Sequence, residues 1–305
     1  MSLSSRTMAS LPDTIEPFGP SKRRRLLTPR YRRLLHEQLD RMSNLKRRLF
    51  TSPDNPLPDC LLIGAKRAGT SSLYQNMIQH PRINAAGRKE VHYFDLNHHL
   101  GPNWYRSFFA PPTPGEPTLN VDATPYYLFH PAVPARVKAL LPDARFIALL
   151  RDPVERAWSE YMHSRQRGLE TLGFSEAIEA EGSRLRGEEE RILADPRYLS
   201  HAHRYQAYQA RGLYARQLAR WFEHFPRDRF LLLQAEDLQR NPAEMFGRVV
   251  EFLGLPNTTS IKPHWQNSTR GKSDMPAADR DRLRRFFEPA NAELRAIAGL
   301  EFDWN

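Results

Sequence analysis

The stretch Gly64-Ala65-Lys66-Arg67-Ala68-Gly69-Thr70-Ser71-Ser72 constrains this chain more than any other. It follows a short apolar run, Cys60-Leu61-Leu62-Ile63, and precedes a helical pattern from about Thr70 to Gln79. A glycine-bounded loop between a strand and a helix gathers backbone N–H groups and the positive helix end at one point, where an oxyanion is held. The spacing is close to the triphosphate loop G-x-x-x-x-G-K-[ST]. Here, however, Thr70 follows Gly69 directly, and the lysine of that pattern is missing. The cations stand inside the loop, at Lys66 and Arg67. A nucleoside-triphosphate enzyme loses its clamp on the outer phosphates by this change. A loop that holds one 5′-phosphate and a smaller group beyond it does not. A glycine turn with exposed basic side chains is the plainer reading of the same residues.

Further apolar runs occur at Phe146–Leu150 and Phe230–Leu233, with a weaker one at Leu119-Asn120-Val121. They alternate with amphipathic stretches, which predicts an α/β domain with a parallel sheet and helices on both faces. Such sheets place ligands beyond the carboxyl ends of their strands. The second polar motif sits at such an end: Arg151-Asp152-Pro153-Val154-Glu155-Arg156-Ala157-Trp158-Ser159. Arg151 closes the strand, and Ser159 lies two turns into the next helix. A guanidinium suits bidentate phosphate contact and a hydroxyl adds a bond. An Arg151 pair with Asp152 or Glu155 at the helix start is the structural alternative. Two phosphate sites on one sheet suggest a nucleotide with phosphates at two positions.

The net charge of +10 suggests a nucleic-acid binder at first sight. Its distribution argues otherwise. Residues 21–50 hold eleven Lys or Arg against two acids, and the body beyond them carries about +2. No nucleic-acid partner is therefore expected. Residues 1–20 read as a disordered start and 21–57 as a basic amphipathic helical arm and linker. Residues 58–305 form the globular domain. The arm's apolar positions, from Tyr31 and Leu34 to Leu49, have helical spacing. Residues 22–49 are open to two readings: peripheral contact with an anionic membrane, or packing of the leucine stripe as an extra helix. No apolar run is long enough to span a bilayer, and no secretory signal is evident, so the expectation is a cytoplasmic chain. Cys60 is the one cysteine, which excludes an internal disulfide and a multi-cysteine metal site. Residues 166–205 are charge-dense and weakly periodic. They read as an insertion or lid, or equally as a solvated helix pair.

Taken together, the loop from Gly64 to Tyr74, the segment Lys89-Glu90-Val91-His92-Tyr93-Phe94-Asp95 and the strand–helix from Arg151 to Tyr161 resemble a known family. It is that of the sulfotransferases using 3′-phosphoadenosine 5′-phosphosulfate. The order and spacing are closest to the heparan sulfate sulfotransferase branch and its bacterial relatives. Asp122-Ala123-Thr124-Pro125-Tyr126-Tyr127, Gly212-Leu213-Tyr214 with Trp221, Asp237-Leu238 before Asn241-Pro242, and Arg270-Gly271-Lys272-Ser273 match in the same order. The resemblance implies a P-loop NTPase-like three-layer fold around a central parallel sheet of about five strands. It places the donor's 5′-phosphosulfate on Lys66, Arg67, Ala68, Gly69, Thr70, Ser71 and Ser72, and its 3′-phosphate on Arg151 and Ser159. Tyr214 would help to hold the nucleotide, and Arg270, Gly271 and Lys272 would close over it. Glu90 takes the position of the general base, with His92 and Asp95 in support. The family's lysine stands where this chain has Arg67, so the Lys–Arg pair is exchanged here. The heparan branch often has Lys in place of Ala123.

The chemistry implied is sulfuryl transfer to an acceptor hydroxyl or amine on a glycan, lipid-linked or small-molecule acceptor. The leaving phosphate is a weak base, so in-line positioning and cationic stabilisation matter more than acid catalysis. Lys66 and Arg67 supply the charge, and Glu90 accepts the acceptor's proton. Partial burial that raised its pKa would make Glu90 a better base. No divalent metal is required, since there is no triphosphate to neutralise. The competing readings are a small-molecule kinase, which the missing lysine opposes, and a non-catalytic, membrane-associated nucleotide-binding protein.

Overall fold

The structure is a computed structural model that describes Leu45, Arg47, residues 51–111, 118–257, 260–264 and 274–299, and Phe302 and Trp304. The chain divides into two compact units, residues 1–46 and 47–305. Most of the basic arm, and the residues Arg270, Gly271 and Lys272, lie outside the described residues. The second unit holds the sheet and both phosphate-type motifs.

Five strands form one parallel sheet: β1 (Cys60–Gly64), β2 (Ile83–Ala85), β3 (Leu119–Ala123), β4 (Arg145–Leu150) and β5 (Phe230–Gln234), in the order β2-β3-β1-β4-β5. Every residue of β1 is buried, because β3 and β4 flank it and helices lie around the sheet. That explains its uninterrupted apolar run. Cys60 pairs with Val121 on one side and Arg145 on the other. From β1 the chain builds outward first to one side and then, with β4 and β5, to the other. The order therefore reverses at β1, which opens a crevice beyond its carboxyl end. The loop after β1 empties into that crevice. The weak strand candidate at 119–121 is β3. The strand β2 has no counterpart among the apolar runs of the sequence: it is three residues long, lies at the sheet edge and is only partly buried.

Helix α1 (Thr70–Met77) begins directly after the glycine loop. The short α2 (Pro102–Arg106) and α3 (Val133–Leu140) precede α4 (Pro153–Gln166), which carries the second motif. The entry into α4 is locally encoded. The Asp152 side chain caps the Val154 N–H at 2.8 Å, and Pro153 occupies the first helical position, where no N–H is needed. The apolar positions of α4 pack with α5 (Phe174–Leu185) and α11 (Ala277–Ala298) in a second core built on Val154, Ala157, Phe174, Ile178, Leu283 and Phe287. Between α5 and α11 come α6 (Glu188–Ala194), α7 (His201–Tyr205), α8 (Tyr214–Phe222), α9 (Ala235–Arg240) and α10 (Pro242–Phe252).

The 166–205 segment is thus helical, and its charges are not all solvated. Glu170 is buried and accepts from Arg184 at 2.6 Å and from the Tyr208 hydroxyl at 2.9 Å. Glu181, also buried, accepts the backbone N–H groups of Gln209 and Ala210 at 2.7 and 2.8 Å. These bonds tie the segment to the chain leading into α8. A freely solvated helix pair is excluded.

Candidate active site

The loop is fastened to its surroundings at several points. The Ala65 N–H donates to Leu149 O at 2.7 Å, joining the loop to the end of β4. Gly69, at φ +97°, makes the left-handed turn into α1 that a side chain would oppose. Lys66 and Arg67 then diverge toward α4. Lys66 Nζ lies 2.8 Å from Glu160 Oε1, donates to Arg204 O at 3.4 Å and stands 5.3 Å above the Tyr205 ring. Arg67 donates from Nε to Ser159 Oγ at 3.2 Å, while its carbonyl accepts from Arg151 at 3.2 Å. The loop and the Arg151–Ser159 motif, read in the sequence as two phosphate sites, are one contiguous surface.

Arg151 is half-buried and held from behind. The Tyr214 hydroxyl donates to Arg151 O at 2.9 Å, and Tyr214 is itself buried beside the Trp304 ring. Tyr214 thus acts on this surface through the backbone of Arg151. Glu155 pairs with Arg280 of α11 and lies 4.0 Å from Arg151. The expected carboxylate partner of Arg151 is therefore present, but shared with a second arginine and distant.

Across the loop, residues 88–97 place the acid–base group. Glu90, about one third exposed, has Oε2 at 3.1 Å from His92 Nε2. The other ring nitrogen, Nδ1, lies 2.7 Å from Asp95 Oδ2. Asp95 is buried and also accepts the Leu96 N–H. Asn97 holds the turn by donating to His92 O at 2.9 Å. From below, Thr124 Oγ1 accepts the His92 N–H at 3.4 Å and donates to the buried Asp122 at 2.9 Å. Asp122 also accepts the hydroxyls of Tyr105 and Tyr127 at 2.8 and 2.9 Å. Glu90, His92 and Asp95 thus form one chain, with Glu90 as its most exposed member.

The charges follow from this geometry. Burial opposes the His92 imidazolium, but Asp95 and Glu90 outweigh it and raise its pKa to about 9. Burial also pushes the Glu90 carboxyl up. The neighbouring His92, Lys89 and Lys66 more than cancel that and hold it below its ordinary value. The raised pKa that would have made Glu90 a stronger base is therefore not what its surroundings produce. Glu90 stands ionised, facing its own imidazolium partner.

Several residues inside the motifs take no role from the sequence alone, yet stand at the site. Glu160 is wholly buried beneath Lys66, with Arg156 also buried 3.9 Å from its second oxygen. Lys89 lies between the loop and Glu90, 3.0 Å from Ser71 Oγ and 3.8 Å from Glu90 Oε1. The 166–205 segment reaches the site through α7, which supplies Arg204 O and the Tyr205 ring to Lys66. A signal for Glu160 existed: it falls on the same helical face as Arg156, Ala157 and Ser164, all buried.

A parallel sheet whose order reverses at a phosphate-type loop, with Arg151 just past β4 and Ser159 on α4, defines a P-loop-like α/β fold. Comparison with known proteins makes this particular. Residues 57–275 match the family described as Sulfotransferase domain, and the chain belongs to that family. It is 31% identical over 283 residues to human heparan sulfate glucosamine 3-O-sulfotransferase 3B1, covering 83% of this chain and 66% of that protein. It is 32% identical over 286 residues to human heparan sulfate glucosamine 3-O-sulfotransferase 3A1, covering 84% and 64%. The chain spans about two thirds of the length of these relatives. The crystal structure of a sulfotransferase from Alicyclobacillus acidocaldarius superposes with a TM-score of 0.63 at 28% identity, covering 81% of this chain and 98% of that one.

Proposed function

We propose that this chain transfers the sulfonate of 3′-phosphoadenosine 5′-phosphosulfate to a hydroxyl of a sugar-containing acceptor. The observation that carries this reading is the continuous surface formed by the loop and α4, with Glu90 on its far side. The residue chemistry fits the donor. Arg151, Arg67 and Ser159 offer guanidinium and hydroxyl donors to a phosphate. The loop N–H groups and the start of α1 offer the 5′ position. The relatives, glucosamine 3-O-sulfotransferases by name, support the acceptor class.

In the step so defined, Glu90 accepts the proton of the acceptor hydroxyl as its oxygen bonds to sulfur. The bond from sulfur to the 5′-phosphate oxygen breaks, and the electron pair leaves on adenosine 3′,5′-bisphosphate. His92, charged and anchored by Asp95, orients the Glu90 carboxylate. Arg67 and the loop N–H groups stabilise the charge on the leaving phosphate. Incubation with a radiolabelled phosphosulfate donor and a panel of oligosaccharides tests the reading. Label in a sugar product is the expected result. Failure to bind adenosine 3′,5′-bisphosphate would sink it.

A further inference from the structure

The loop offers two cations, and both are turned toward α4. Lys66 is committed to Glu160 and Arg204 O, and Arg67 directs its Nε to Ser159. The transferred sulfonate, on the donor reading, has to lie between the loop and Glu90. On that side stands a third cation. Lys89 donates to Ser71 Oγ at 3.0 Å, in the first turn of α1, and its Nζ lies 3.8 Å from Glu90 Oε1. Its side chain is 17% exposed, so Lys89 is largely withdrawn from water but not sealed from it.

We propose that Lys89 is a sulfonate-binding residue, its ammonium spanning the gap between the start of α1 and the Glu90 carboxylate. This rests on the donor reading under Proposed function. The reason is electrostatic. A sulfonate is anionic, and so is Glu90. Bringing them together across a few ångströms is repulsive in a partly dehydrated site. An ammonium that touches the phosphate side and neighbours the base offsets that repulsion for both. Lysine suits the task because its compact charge has three rotatable donors, which can follow the sulfonate oxygens as the group moves. Lys89 stays protonated throughout. It supplies charge and hydrogen bonds, and the bonds formed and broken remain those of the transfer itself. The exchange of Lys and Arg at positions 66 and 67 thereby leaves a lysine ammonium facing the transferred group, delivered from a different segment.

The test compares two nucleotides on the full chain by calorimetry. Adenosine 3′,5′-bisphosphate lacks the sulfonate, and the phosphosulfate donor carries it. The Lys89→Gln variant is expected to bind the bisphosphate within about twofold of wild type, which also shows that it is folded. Its affinity for the donor is expected to fall about tenfold, the loss of one charge-assisted contact. Lys89→Arg, which keeps the charge, should recover most of that loss. Unchanged donor affinity in Lys89→Gln overturns the assignment, and so does an equal loss on both nucleotides. Wild-type protein that binds neither nucleotide overturns the donor reading, and Lys89 with it.

Discussion

Lys66 and Glu160 meet at 2.8 Å between the loop and α4, with the Glu160 carboxylate sealed from solvent. Arg156 and Arg211 are buried nearby, and both pull on the same carboxylate. One anion therefore serves three cations. Its work is to let a positively charged loop lie against a helix that carries buried cations of its own.

Removing it should be costly. Glu160→Ala leaves Lys66, Arg156 and Arg211 without their shared counter-charge, and breaking a buried pair in this way costs about 3–5 kcal/mol. Glu160→Gln keeps an acceptor oxygen for Lys66 and should lose less. Urea unfolding of the two variants measures the difference. A loss under about 1 kcal/mol for Glu160→Ala would show that the site relaxes or admits water.

The pH dependence of stability should have two separate edges. Burial raises the Glu160 pKa, but Lys66, Arg211 and Arg156 prevail and bring it from its ordinary 4.5 down to about 2. Its contribution is full above about 4.5 and disappears as pH falls toward about 2. His92 runs the other way. Raised from 6.5 to about 9, it contributes fully below about 6.5 and loses that contribution as pH climbs through about 9. Melting temperature against pH should therefore decline on both sides. Glu160→Gln should lessen the acid-side loss, leaving the share of Glu170, which burial raises but Arg184 also brings down to about 2. His92→Asn should lessen the alkaline-side loss. Identical profiles in wild type and His92→Asn would show that the imidazolium is not held as described.

Glu90→Gln should reduce transfer by about 10²–10⁴, the usual worth of a positioned base, while adenosine 3′,5′-bisphosphate still binds. Because its neighbours hold the Glu90 pKa down, the acid limb of kcat/KM should lie below the ordinary glutamate range. Turnover near the wild-type rate in the amide variant would remove Glu90 from the role of base.

Arg67 binds Ser159 through its side chain and Arg151 through its backbone carbonyl, so the two contacts separate on mutation. Arg67→Ala removes the first alone. It should lower donor affinity and rate together, whereas Arg67→Lys should retain much of both. An alanine variant with full activity would refute the charge-stabilising role.

The central fold is legible in the sequence because it is written in long, uniform signals. β1, β4 and β5 are built on apolar runs of four or five residues, and Asp152-Pro153 marks the start of α4. β2 is illegible because three residues at a sheet edge carry too little pattern. The 166–205 segment is obscure because buried glutamates look like surface residues in a sequence. Only the structure shows Arg184 folded onto Glu170, or two backbone N–H groups on Glu181. At the site, the residues of each motif are readable, and so is their order. Their partners are not. Glu160 and Lys66 are far apart in the chain, and Tyr214 touches the backbone of Arg151, which no side-chain pattern records.

The contact between α7 and Lys66 bears on how such enzymes diversify. The 166–205 segment contributes a carbonyl and an aromatic ring to a cation of the glycine loop. It is therefore not a cassette that can be exchanged whole. A graft that replaces α7 strips Lys66 of two of its partners, and the loop inherits the fault. Recombination among relatives should preserve Lys66, Glu160 and α7 as one inherited block.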